Sequence, residues 1–168
     1  MKTGEHIIID FSVRDVKNID TESVIDKFLF DVTELAGMTL AIPPVSFKFP
    51  VDNAVIENCR ESLKRGHLGD ADKQKVFSVL QDRARSGKLG GSGVSGTAIW
   101  VESHCAVHTW TNERFVTVDM FSCRNLELKK VLDFAKGYFS IENGRYLKLE
   151  RFTDKAPVIE KGAIYDDT

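Results

Sequence analysis

SGTAIWVE (residues 95–102), HCAVH (104–108) and FVTVDMF (115–121) are the stretches on which the fold turns. Each is rich in β-branched and aromatic residues, and the second and third alternate apolar with polar positions, the period of a half-buried strand. The links between them are short. Parallel strands need a crossover of a dozen or more residues, so these strands are expected to pair antiparallel.

Upstream, His6–Phe11 predicts another strand, and Asp20–Ala36 switches to helical spacing. Val24, Ile25, Phe28, Leu29, Val32, Leu35 and Ala36 recur at three- and four-residue steps, Asp20 or Thr21 is placed to cap the start, and Gly37 to end the helix. Thr39–Ile42 and Val45–Phe49 read as short strands divided by Pro43-Pro44. Downstream, Leu126–Phe139 returns to helical spacing with Asn125 as its cap, Asn143-Gly144 reads as a turn, and Arg145–Phe152 as a last strand. The tail, 153–168, is expected to be loosely ordered.

Between Pro50 and about Gly90 the chain is polar and helix-favouring, and it runs into the glycine-rich Ser86–Gly93. One or two peripheral helices and a loop are expected there, a solvated elaboration rather than a second domain. The whole reads as a single domain, 1–168, with an insertion at about 50–90. Its predicted class is α+β, a two-layer sandwich with a mainly antiparallel sheet and helices packed on one face.

Composition removes several functions. The 168 residues carry 23 Lys+Arg against 25 Asp+Glu, a formal charge of −2, which supplies no basic surplus for nucleic acid or an anionic membrane. The first apolar run, Ile7-Ile8-Ile9, is cut by Asp10, too short for a signal segment or a membrane span, so a cytoplasmic location is expected. Cys59, Cys105 and Cys123 are odd in number and lack metal-ligand spacing, so neither a disulfide framework nor a metal site is expected.

Chemistry concentrates in Gly93–Trp110 and Val118–Cys123. Ser103, His108 and Cys123 lie on neighbouring strands. Ser103 and His108 are five residues apart, an odd number, so one unbroken strand points them to opposite sides. A shared site then requires a break, bulge or bend between them, and scission of the backbone at Ser103 is one such break.

These residues closely resemble the bacterial and archaeal S-adenosylmethionine decarboxylases, which make their own pyruvoyl cofactor. The resemblance rests on Gly93-Val94-Ser95-Gly96, Glu102-Ser103-His104, His108-Thr109-Trp110 and Asp119-Met120-Phe121-Ser122-Cys123, at matching separations. It implies self-cleavage between Glu102 and Ser103 into chains 1–102 and 103–168, with a covalent pyruvoyl group generated from Ser103 that forms a Schiff base with substrate. Serine is required because only a β-oxygen can both accept the acyl group and leave. The resemblance further implies that His108 is the base in processing, that Ser95 hydrogen-bonds the junction carbonyl, and that Cys123 returns a proton to the substrate carbon. An imidazole exchanges protons near neutrality, and a thiol is still protonated there yet acidic enough to donate. No metal is implied. A homo-oligomer of cleaved protomers is, most often a dimer with sites near its interface. Cys59, Cys105, His67 and His104 read as residues without a chemical task; His6 matches a family position and is given none.

Two departures bear on substrate. The family commonly reads His-Thr-Trp-Pro-Glu, its glutamate associated with the nucleoside ribose; here Thr111 and Asn112 follow Trp110, and Glu113 falls one residue late. Trp110, Asn112 and Glu113 are the candidate substrate contacts, and an amide bonds a hydroxyl without the added strength of a charge. The insertion at 50–90 is the second departure. The expected activity is decarboxylation of S-adenosylmethionine for spermidine synthesis. The alternatives are the same chemistry on a basic amino acid (arginine or ornithine), and a non-catalytic homologue acting as a partner subunit.

Overall fold

Alternation in the first strand sets up the molecule: Ile7, Ile9, Phe11 and Val13 are buried, while the residues between them face outward. The structure, a computed structural model, describes residues 4–50, 53–86, 91–151 and 159–165. Along the chain these form β1 (Gly4–Val13), α1 (Glu22–Leu35), β2 (Val45–Phe49), α2 (Asn53–Arg65), α3 (Asp70–Ser86), β3 (Gly93–Ile99), β4 (Ser103–Trp110), β5 (Phe115–Ser122), α4 (Leu128–Phe139), β6 (Ile141–Arg151) and β7 (Ile159–Tyr165). The strands make one antiparallel sheet in the order β2-β3-β4-β5-β1-β6-β7. The α+β class and the antiparallel sheet agree with the sequence. Among the described residues, no helix is long and apolar enough to cross a membrane.

Helix α1 buries Ile25, Phe28, Leu29, Val32 and Thr33, one stripe at helical spacing, against β2, β3 and β4. Gly96 permits that approach, since a Cβ there would stand 2.8 Å from Ile25 and 3.0 Å from Leu29. Helix α4 contributes Val131, Ala135 and Phe139 to the same layer. The two helices meet through aromatic rings, with Phe28 4.6 Å from Phe139 and 5.4 Å from Phe134, and Phe11 5.4 Å from Phe139.

Among the described residues, α1 and α4 leave the opposite face of the sheet uncovered. Ile8, Phe47, Phe121, Leu147 and Leu149 are half-buried on it, and Ile99 and Trp110 are exposed. A groove of about 630 Å³ runs over its β1–β6–β7 side, lined by Ile8, Asp10, Arg145, Leu147, Lys161 and Ala163 among others.

Several local readings are corrected. Thr39–Ile42 is not a strand; a lone bridge joins Leu40 to Trp100, and Pro43-Pro44 prevents the ladder from extending. Asn143-Gly144 lies inside β6 rather than in a turn. A Cβ at Gly144 would stand 2.6 Å from the Asp10 carbonyl oxygen, so this glycine serves close strand packing, and Ser140 makes the turn instead, with φ of 50°. The cap position of α4 is Glu127, not Asn125, because the helix begins at Leu128; just ahead of it the Leu126 N–H donates to the Glu5 carboxylate at 2.6 Å. Thr21 occupies the cap position of α1 without a side-chain bond. Asp20 turns to Lys48 and Thr111, and the Lys48 ammonium, with help from the Thr111 hydroxyl, holds its carboxyl below the usual range. In the tail, 159–165 forms the edge strand β7, where loose order was expected; 152–158 and 166–168 lie outside the described residues. The insertion holds two helices, α2 and α3. Gly91 is described with φ of 96°, while 87–90 of the expected glycine loop lie outside the described residues.

Phe28 is fully buried at the centre of the aromatic cluster. Phe28→Ala is expected to cost about 3–5 kcal/mol, the range for a large-to-small core change, measured as a fall in the denaturant midpoint at unchanged slope.

Candidate active site

Strands β3 and β4 are joined by a two-residue turn, Val101-Glu102, closed by a reciprocal backbone pair: Trp100 N–H to Ser103 O at 2.8 Å and Ser103 N–H to Trp100 O at 3.2 Å. The Glu102–Ser103 bond is therefore at the tip of a hairpin. Val101 is 71% exposed there, whereas the Glu102 side chain turns inward and is only 16% exposed.

Two other segments grip this tip. In the link between α1 and β2, the Thr39 carbonyl accepts the Val101 N–H at 2.9 Å, and the Thr39 N–H and hydroxyl donate to the Glu102 carboxylate at 3.1 and 3.4 Å. After β5, Arg124 Nη1 reaches the same carboxylate at 3.2 Å. The Thr39 N–H chiefly, and Arg124 less, hold the Glu102 carboxyl below the usual carboxylate range. The Cys123 N–H donates to the main-chain carbonyl of Glu102 at 3.3 Å. That oxygen would gain charge if the Ser103 hydroxyl attacked its carbon, and a backbone donor already faces it.

Glu102, Ser103 and Cys123 thus come together, with the Cys123 side chain exposed beside them. His108 and Ser95 are elsewhere. Strand β4 pairs with β5 from Ser103 to Trp110 without a register shift, so no bulge intervenes between the two residues. Five residues of strand put His108 about 17 Å from Ser103 at ~3.4 Å per residue, and the odd count puts it on the other face. Ser95 lies on the same rung as His108, its hydroxyl 2.8 Å from His108 Nδ1. Within one chain, then, the junction carbonyl is met by the Cys123 N–H rather than by Ser95. Trp110 is beyond His108, with its ring 6.3 Å from the imidazole and 5.8 Å from Phe115. Asn112 and Glu113 are exposed in the turn between β4 and β5. The candidate residues therefore form two groups at opposite ends of β4.

Of the residues read as having no task, His67 is exposed between α2 and α3, and Cys59 is partly exposed on α2. Cys105 is fully buried, and desolvation, with the Asp119 charge adding to it, pushes its thiol well up. His6 and His104 have polar partners. Asp119 lies between them on the open face, 2.9 Å from His6 Nε2 and 3.7 Å from His104 Nε2, and both imidazoles pack against Phe121. Strand parity was the available signal, because His6, His104, Asp119 and Phe121 share one face once the register is known. No sequence pattern marked Thr39 or Arg124, whose partners are 63 and 22 residues away. Among the described residues, no group of three or more His, Cys, Asp or Glu side chains is placed to hold a metal ion.

Comparison with known proteins gives concordant results. A family model described as S-adenosylmethionine decarboxylase matches residues 72–152. The S-adenosylmethionine decarboxylase proenzyme of Saccharolobus solfataricus is 33% identical over 98 residues, 53% of this chain and 73% of that protein. The proenzyme of the same name from Pyrococcus horikoshii is 27% identical over 95 residues, 50% of this chain and 67% of that protein. In three dimensions, the crystal structure of the adenosylmethionine decarboxylase from Aquifex aeolicus superposes with a TM-score of 0.60 at 16% identity, covering 92% of this chain and 97% of that one.

The three thiols are expected to react unequally. Iodoacetamide should alkylate exposed Cys123 fastest in the native protein and Cys59 more slowly, while buried Cys105 reacts only in denaturant, as read by peptide mass mapping.

Proposed function

The chain belongs to the S-adenosylmethionine decarboxylase family, and on that premise we propose that it is a self-processing decarboxylase of S-adenosylmethionine whose pyruvoyl group is made from Ser103. The observation that supports this best is the hairpin tip: the Glu102–Ser103 bond is set in a tight turn with a backbone N–H on its carbonyl oxygen.

The residues fit the formation of that group. Ser103 Oγ adds to the Glu102 carbonyl carbon, its proton passes to the amide nitrogen, and the C–N bond gives way to an ester with a free amine on residue 103. The Cys123 N–H stabilises the oxygen that carries charge on the way. A base then removes the Cα proton of residue 103. The freed electron pair forms the Cα–Cβ double bond, the Cβ–Oγ bond breaks, and the main-chain carboxylate of residue 102, now the end of chain 1–102, leaves from Cβ. Tautomerisation and addition of water release ammonia and leave a ketone at position 103. When formed, the ketone supplies an electron sink for decarboxylation of a substrate bound through its amine. The exposed Cys123 thiol, beside the junction, returns a proton to the substrate carbon.

His108 is the base in this scheme, with Ser95 holding its Nδ1, yet about 17 Å of strand (five residues at ~3.4 Å) separates it from Ser103 in the same chain. We assign the contact to a second copy. The open sheet face presents Ile8, Phe47, Phe121, Leu147 and Leu149, and an apolar sheet face is stable when another layer covers it. A two-fold pairing of open faces is isologous, and with its axis crossing the middle of β4 it brings the hairpin tip of one protomer, where the Glu102–Ser103 bond turns, to the His108 end of its partner. Each site would then combine one chain's Glu102–Ser103 junction and Cys123 with the second copy's Ser95, His108 and Trp110. Asn112 and Glu113 would reach the substrate from that second copy, the amide of Asn112 serving a hydroxyl.

S-adenosylmethionine is the favoured substrate because the relatives described above carry its name; no observation favours a basic amino acid. The product would donate the aminopropyl group in spermidine synthesis.

Mass measurement under denaturing conditions is expected to give two chains, 1–102 and 103–168, and Ser103→Ala one uncut chain. The cleaved preparation is expected to release carbon dioxide from S-adenosylmethionine. Release from ornithine or arginine alone would reject the substrate, and an uncut wild-type chain would reject the enzyme.

A mixing experiment checks the shared site. Ser103→Ala and His108→Ala chains should each stay uncut alone, whereas together the His108→Ala chain should be cut, because its partner brings the missing imidazole. Absence of rescue in a mixture shown to contain mixed dimers would place both groups in one chain.

A further inference from the structure

One cation at the hairpin tip has no part in the chemistry above. Arg124 follows Cys123 directly, and its Nη1 donates to Glu102 Oε1 at 3.2 Å and to the Gly37 carbonyl at 3.2 Å. Its own N–H is held by Ser122 Oγ at 2.9 Å, and that hydroxyl donates to Met38 Sδ at 3.5 Å. Three stretches remote in sequence are tied here: the hairpin tip, the residues after β5, and the link after α1.

The consequence for Glu102 is specific. Its main-chain carbonyl is held by Cys123 and its carboxylate by Arg124, consecutive residues of one backbone segment. Thr39 holds the carboxylate from the other side. A residue fixed at both its carbonyl and its side chain cannot rotate its peptide plane freely. The turn needs such restraint, since Val101 at its tip is mostly solvent-exposed. Intramolecular attack depends steeply on this orientation, because the reacting atoms must be brought close and aligned before reaction.

We propose that Arg124 is a positioning residue for self-cleavage: by fixing the Glu102 carboxylate, it orients the Glu102–Ser103 bond so that the Ser103 hydroxyl meets the carbonyl carbon. This rests on the self-processing reading above and adds to it the residue that prepares the bond. Arg124 touches no reacting atom and acts through Glu102. Its side chain is 58% exposed, and a pair that open to solvent adds little to global stability. Its influence is therefore on the rate of cleavage far more than on melting.

The test follows full-length chain made by cell-free synthesis, with the appearance of 1–102 and 103–168 timed by denaturing mass measurement. Arg124→Ala is expected to slow cleavage about tenfold, the rate equivalent of one lost charge-assisted hydrogen bond. Arg124→Lys should recover most of the rate. Glu102→Gln should also slow cleavage, and adding Arg124→Ala to it should slow it little further, because both changes remove one interaction. In the uncut Ser103→Ala background, Arg124→Ala should leave the melting temperature nearly unchanged. Three results would overturn the proposal: wild-type cleavage in Arg124→Ala, an undiminished Arg124→Ala effect on top of Glu102→Gln, or a rate loss matched by a large fall in melting temperature. The last two would show that Arg124 acts through Gly37 as a structural tie. An uncut wild-type chain would reject the self-processing reading, and the positioning role with it; a cut wild type with an indifferent Arg124→Ala rejects the positioning role alone.

Discussion

The register of β4 against its neighbours governs everything at the site. With Ser103 opposite Ser122 and His108 opposite both Thr117 and Ser95, an uninterrupted pleat fixes which groups can meet. A one-residue slip would carry Val107 and Thr109 to the open face and His108 into the core. Such a slip is barred by the helix-covered face of the sheet. Cys105, Val107 and Thr109 are buried beneath the helices, and the Thr109 hydroxyl is committed to the Ile19 carbonyl and the Val94 N–H at 2.7 Å each. The same regularity that makes the strand stable keeps its two chemical ends apart.

The two faces of the sheet divide the work. The helix side holds the core, and a buried polar chain runs through it: Trp100 Nε1 donates to Thr33 Oγ1 at 2.7 Å, which in turn donates to the Leu29 carbonyl at 2.6 Å. Glu5 and Lys148 form an ion pair at 3.0 Å with little exposure, and the Glu5 carboxylate also takes the Leu126 N–H ahead of α4. On the open side, polar groups sit among half-buried apolar ones, with Asp119 between two imidazoles and the Ser95–His108 pair two rungs further on. Arg151 lies over Phe121 at 4.7 Å, so even this aromatic ring is shared between apolar and charged neighbours.

Strand and helix periods were legible in the chain because burial imposes them: Ile7 to Val13, the α1 stripe and FVTVDMF each repeat with the period of their element. What escaped were features decided by distant partners. Asn143-Gly144 has the composition of a turn, but Phe11 and Asp10 from across the sheet require a glycine in a strand. The edge strand β7 has weak alternation and acquires its order from pairing with β6. At the site, the blocks around Ser103 and His108 were readable as chemistry, and odd spacing already stated the difficulty of joining them. Thr39 and Arg124 were not readable, since nothing local to a threonine or an arginine tells which carboxylate it will meet.

The insertion illustrates how little the sheet depends on what its loops carry. It leaves after Phe49 and returns before Gly93, and those two residues face each other on one rung of the β2–β3 ladder. The chain ends that bracket α2 and α3 are therefore already as close as the ends of a hairpin. Lengthening such a loop raises its closure entropy only logarithmically. The segment between them can therefore change in length at small entropic cost while the β2–β3 ladder keeps its register.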